Sequence, residues 1–169
     1  MTALDSPWTI HTAYSMIYER NINLDEYSNL IQKNENYGIW KGTEHVYDYF
    51  PIGVSIIALP FVFVAEYVFE LALVINPELK TKLNEKGFTL INVTNYYYVI
   101  EYFIASLIVA ICACLTFLIA RRFTTVNQSL VITFVFAFCT SLWSVAGREL
   151  WMHGPMILCL LIAIHYLTK

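Results

Sequence analysis

Residues 99–120 hold a single charged side chain, Glu101 near their start, and are closed by Arg121-Arg122. As a helix rising 1.5 Å per residue, this stretch is about 33 Å long, enough to cross the hydrocarbon core of a bilayer. Composition says what kind of chain carries it. Of the 169 residues, 58% are hydrophobic and 14% charged, against about 25% charged in a soluble domain. Twelve Tyr, eleven Phe and four Trp exclude ordinary disorder, which is poor in aromatics. A net charge of −3 leaves no basic surface for nucleic acid. The chain reads as an all-α, multi-span integral membrane protein of the cell membrane, with membrane lipids as its surroundings.

Three further apolar runs complete that reading. Residues 129–146 predict a second span, and 155–167 a third, short one beginning at Gly154-Pro155, where proline suits the first helical turn. Residues 52–75 are the unusual run. Pro60 interrupts them, and Glu66 and Glu70 lie four apart, on one helical face. Each carboxylate at a bilayer centre costs roughly 2.5–3.5 kcal/mol on the insertion scale. A proline-bent helix lying along or dipping into the outer interface, with its Glu face in water, avoids that cost. A crossing helix whose Glu pair faces a polar cavity is the competing arrangement.

The remaining residues are polar connections. Residues 1–50 carry seven of the thirteen acidic side chains and eight Trp or Tyr. Ser6-Pro7 is a helix start. The apolar spacing after it predicts short helices over 8–20 and 24–33, separated by Asn21-Ile22-Asn23. Residues 76–98 link the two halves through Lys80, Lys82 and Lys86 and end in Tyr96-Tyr97-Tyr98, an interfacial belt. The chain thus divides into an outer region, 1–98, and a membrane region, 99–169. Strand content is expected to be close to nil. Arg121-Arg122, the one tight basic pair, marks the cytoplasmic side. Polar residues follow Met1 directly, with no apolar segment of the signal-peptide kind. Cys112, Cys114, Cys139 and Cys159 all sit in apolar runs and read as small buried side chains, because no second Cys pair or nearby His completes a zinc set. Asn92-Val93-Thr94 and Asn127-Gln128-Ser129 match glycosylation sequons that are frequent by chance.

Several short motifs recur in a recognisable order: Asp5-Ser6, then Ala13, Ser15 and Ile17, then Asn23-Leu24-Asp25-Glu26-Tyr27, Tyr49-Phe50-Pro51-Ile52-Gly53 and Leu59-Pro60-Phe61. Thr140-Ser141-Leu142-Trp143-Ser144 and Leu150-Trp151-Met152-His153-Gly154-Pro155 follow. In this order they resemble the first outer loop and following spans of the GT-C membrane glycosyltransferases of prokaryotic type. The resemblance implies transfer of a sugar from a polyprenyl-phosphate donor to an acceptor hydroxyl. It also implies that the chain is an N-terminal portion lacking the family's first span, inactive in isolation, whose partners are a lipid-linked sugar and the remaining spans of a longer chain or other subunits. Asp5 occupies the family's early acidic position. Asp48 stands before Tyr49 where a small or basic residue is expected.

Sugar transfer from a lipid phosphate needs a carboxylate for the acceptor proton and donors for the departing phosphate. Asp5 fits the first role, although one residue before Ser6-Pro7 it also reads as a helix cap. Arg148 and His153 fit the second, and the loop aromatics, Trp8 and Tyr49 among them, can stack on sugar rings. Arg148 reads equally as a snorkelling interfacial side chain with Glu149 as its local partner. Glu149 and His153 share a face if one helix runs through both. No spacing specifies a metal; His11, His45 and Asp5 leave room for the divalent cation that some relatives use. Two other classes stay open: a small transporter or channel subunit with Glu66, Glu70, Arg148 and Glu149 along a polar path, and a non-catalytic membrane scaffold.

Overall fold

The computed structural model describes residues 8–33, 37–76, 78 and 94–168. Asp5, Lys80, Lys82, Lys86 and the sequon at Asn92 lie outside them. The described chain is mostly helical and divides into two compact units, Met1–Ile100 and Glu101–Lys169.

In the first unit, α1 spans Thr9–Tyr18, a 3₁₀ turn Asp25–Tyr27 leads into α2, Ser28–Lys33, and α3 spans Ile52–Ile75. These match the expected helices. α1 ends where Arg20 takes a left-handed φ of 56° and the Asn21 amide reaches back to the Ser15 carbonyl at 3.4 Å, a wrap common at helix C-termini. The near-absence of strand fails in one place. Strands β1, Ile39–Lys41, and β2, Val46–Asp48, pair antiparallel with Trp40 opposite Tyr47. Alternation along a strand sends Ile39 and Val46 inward, where they pack on the core formed by Trp8, Leu24, Tyr27 and Ile31. Gly38 ahead of β1 has φ +70°, and a Cβ there would meet the Phe50 ring at 3.0 Å, so glycine suits this turn on two counts.

α1 packs against α3. Among the described residues of α3, Val54, Ser55, Ala58, Val62 and Glu66 are buried, a stripe repeating every three to four residues, as one helix face requires. Ile56, Phe63, Val64, Val68 and Leu71 are exposed. Pro60 lies inside the helix on that exposed surface.

In the second unit, α4 spans Thr94–Phe123, its first residues belonging to the first unit. α5 spans Val126–Phe138 and α6 spans His153–Leu167. The expected continuous helix over 129–146 does not form. α5 starts earlier, on a capping box in which Thr125 and Gln128 exchange side-chain and backbone hydrogen bonds. It ends at Cys139, after which Leu142–Ala146 make a separate π-helical segment. Hydroxyl chemistry accounts for the break: Thr140 Oγ1 donates to the Phe136 carbonyl at 2.7 Å and accepts from the Leu142 amide at 3.2 Å, diverting backbone partners from the helical ladder. The π turn closes at Gly147, whose amide donates to the Leu142 carbonyl at 3.0 Å.

By length and apolarity, two of the described helices can cross a membrane: Ile52–Ile75, mean hydropathy 2.1, and Ile100–Phe123, mean hydropathy 2.8. α5 and α6, with 13 and 15 residues, span only about 20–22 Å at 1.5 Å per residue, short of a 30 Å hydrocarbon core.

Candidate functional site

In the second unit, an open groove of about 660 Å³ runs between α4 and α5. Small residues of α4, Ala110 and Ala113, leave the space, and Leu130, Phe134, Phe138 and Trp143 wall it. Phe134, Phe138 and Trp143 form a continuous aromatic side, with successive ring centroids 5.1 and 5.4 Å apart. The lining is almost wholly apolar, and one of its few polar members is Ser106. Ser106 Oγ donates to the Gly147 carbonyl at 3.1 Å, and Arg148, the next residue, is exposed. The Ser106 end of the groove is thus bonded to the backbone one residue before Arg148.

The segment around Arg148 is fixed to α4. Glu101, buried, accepts the Leu150 amide at 3.0 Å. A Cβ on Gly154 would lie 3.6 Å from Ile108 Cγ2, so the start of α6 packs closely on α4. Residues 149–152 are not helical and α6 begins at His153, so no single helix carries Glu149 and His153 on one face. The Leu150 amide bonds the Glu101 carboxylate rather than a preceding carbonyl, which starts the new helix three residues later. His153 is exposed, its ring 6.0 Å from that of Trp151. At the other end of the unit, Arg122 ties α4 to the end of α6 through the His165 carbonyl at 2.6 Å and Thr168 Oγ1 at 2.8 Å. Ser129 is fully buried within the first turns of α5, so the sequon at Asn127 has its hydroxyl occupied by the Thr125 carbonyl, at 2.8 Å.

The first unit presents a second polar constellation. Two residues of α1 bring hydroxyls to carboxylates: Ser15 to Glu26, and Tyr18 to Glu66. Glu66 is 8% exposed beneath that contact. Asp48, at the end of β2 and four residues before α3, is pushed up to about 6 by burial, which the Phe50 amide only partly offsets. Asp25 is held below the usual carboxylate range by the Val46 amide and by His45.

Of the residues singled out in the sequence, Asp5 lies outside the described residues. Trp8 is 1% exposed, in the core, with Nε1 donating to the Tyr37 carbonyl at 2.8 Å. Tyr49 is 72% exposed. His11 is buried between the Trp8 and Tyr27 rings, at 5.3 and 4.8 Å, whereas His45 stands at 2.6 Å from Asp25. Among the described residues no cluster of three His, Cys, Asp or Glu side chains is gathered as a metal set. Cys112 is buried and Cys114 exposed, both as free thiols. Sequence reasoning missed Asp48 as a titrating group, and the groove. The first had a signal in its place beside the aromatic run 47–50; the second depends on α5 ending early, which apolar spacing does not reveal.

The chain matches no family model, no curated protein and no solved structure.

Proposed function

We propose that this chain is a portion of a multi-pass membrane glycosyltransferase that transfers a sugar from a polyprenyl-phosphate donor to an acceptor hydroxyl. The observation that carries the reading is the groove of about 660 Å³, whose Ser106 bonds the Gly147 carbonyl one residue before Arg148. A polyprenyl-phosphate sugar is an apolar tail with an anionic head, and an apolar groove bonded to the segment that carries Arg148 offers the same polarity order. Arg148 offers paired N–H donors to phosphate oxygens, and such charge-assisted contacts strengthen as charge develops on a leaving phosphate. His153 adds a second donor on the same segment.

The ordered resemblance supports Asp5 as the base for the acceptor hydroxyl. α4 acts as a span in this reading, α3 lies along or dips into the interface, and their exposed aliphatic faces suit lipid. The transporter alternative draws no comparable support, because Glu66, one of its path residues, is engaged by Tyr18.

Arg148→Ala in an enzyme carrying this segment is expected to raise KM for the polyprenyl-phosphate donor by roughly 10-fold or more, the equivalent of one charge-assisted hydrogen bond. Arg148 is exposed, so membrane abundance should hold. Donor titrations with protein amount measured by blot check this. An unchanged KM would leave Arg148 as an interfacial side chain only.

A further inference from the structure

The outward face of the β-hairpin carries an aromatic surface formed by two of the loop aromatics of residues 1–50. Trp40 and Tyr47 are directly opposed in register, so both point to the same side of the two strands, away from the core that takes Ile39 and Val46. Their ring centroids lie 5.6 Å apart with planes at 31°. Trp40 is 57% exposed. A residue kept this apolar and this open on a hairpin surface is rarely needed for packing.

The platform is held from behind and at its edge. Leu24 donates its amide to the Val46 carbonyl at 2.7 Å, and the Gly42 amide closes the turn on the His45 carbonyl at 2.9 Å. A Cβ on Gly42 would stand 3.3 Å from the Tyr47 ring, so the ring rests on the turn. The His45 ring meets the Tyr47 ring edge-on at 6.4 Å. Asp25 grips His45 Nδ1 at 2.6 Å through one carboxylate oxygen and receives the Val46 amide at 2.9 Å through the other. With Nδ1 turned to the carboxylate, Nε2 is the nitrogen left to act outward.

We propose that this face is a pyranose-binding platform, taking the C–H face of a neutral sugar ring on Trp40 and Tyr47 and a ring hydroxyl on His45. A pyranose is apolar on its faces and hydroxylated at its rim. The hairpin offers the complementary order, aromatic in the middle and a fixed imidazole–carboxylate pair at the border. A lipid-facing belt would need only the rings and no oriented hydrogen-bonding partner. The site is distinct from the groove and its occupancy can be read without any transfer reaction.

The test places the 169-residue chain in phosphatidylcholine nanodiscs and reads saturation transfer from the protein to methyl β-D-glucopyranoside, with acyclic D-glucitol as control. Expected are transfer to the glucoside ring protons and none to glucitol, at least a fivefold loss in Trp40→Ala, and retention of most of the signal in Trp40→Phe. Brominated phosphatidylcholine should leave the Trp40 fluorescence, taken as wild type minus Trp40→Phe, unquenched. Absent transfer in the wild type, equal transfer to glucitol, or an unchanged signal in Trp40→Ala would overturn the proposal. Quenching of Trp40 by the brominated lipid would also overturn it and make the pair an interfacial anchor. Because these readouts involve binding alone, their failure leaves the transferase reading untouched, and loss of transferase activity leaves them untouched in turn.

Discussion

Asp5→Asn in an enzyme carrying this chain is expected to lower sugar transfer by about 100-fold or more while its abundance in the membrane stays unchanged. The substitution keeps size and removes the basic carboxylate. General-base groups contribute about 10²–10⁴-fold to rate, and groups that act as a unit are strongly non-additive, so partial compensation by another carboxylate is not expected. The competing role, a helix cap ahead of Ser6-Pro7, makes the opposite forecast. Asparagine caps as well as aspartate, so a capping Asp5 would leave transfer intact. Initial rates from a radiolabelled donor, normalised to protein on a blot, separate the two.

The second large effect is in stability and depends on pH. Asp48 is pushed up to about 6 in the folded chain, chiefly by burial, from an ordinary value of 3.8. A carboxyl whose folded pKa lies above its unfolded value binds its proton more tightly when folded. Folding is therefore opposed progressively as pH rises from about 4 to 6, and fully above that. Allowing for its partial exposure to water, the opposition is on the order of 2 kcal/mol. An asparagine in its place would have no charge to bury and would keep an oxygen for the Phe50 amide, which Asp48 Oδ1 accepts at 3.0 Å. Asp48→Asn should raise the thermal midpoint at pH 7, and the gain should shrink to nothing near pH 4. A gain that is the same at both pH values would mean the carboxylate is not desolvated.

How much of this is legible in the sequence follows from which forces decide each element. α3 takes the bounds expected of it, Ile52–Ile75, because a long, mostly apolar run flanked by Pro51 and Asn76 leaves few other places for a helix to begin and end. The break after Phe138 is not legible. Apolar side chains continue on both sides of it, and the outcome rests on whether the Thr140 hydroxyl turns to the backbone, a choice among local hydrogen bonds that periodicity does not encode. The hairpin does carry a signal: Ile39-Trp40-Lys41 and Val46-Tyr47-Asp48 alternate across a turn containing Gly42. Its strands of three residues are too short to stand out among so many aromatics.

The site residues divide in the same way. Arg148 and His153 are findable as polar residues amid apolar runs, since their rarity there is itself informative. Trp8 stands out only as an aromatic, and residue type cannot tell a ring that fills a core from one that meets a ligand. Its burial with Tyr27 and Leu24 is a tertiary fact. The groove is one as well, because its volume is set by where α5 stops and by which face of α4 carries alanine.

The most direct measurement of the central claim is donor-dependent transfer in membranes that contain an enzyme carrying this chain. Radiolabelled polyprenyl-phosphate sugar and the corresponding radiolabelled nucleotide sugar are supplied separately, with membranes lacking the protein as the blank. The account predicts label in an acceptor product from the polyprenyl-phosphate sugar alone, dependent on the protein. Label arriving only from the nucleotide sugar, or no label above the blank from the lipid-linked donor with the protein present in the membrane, would contradict it.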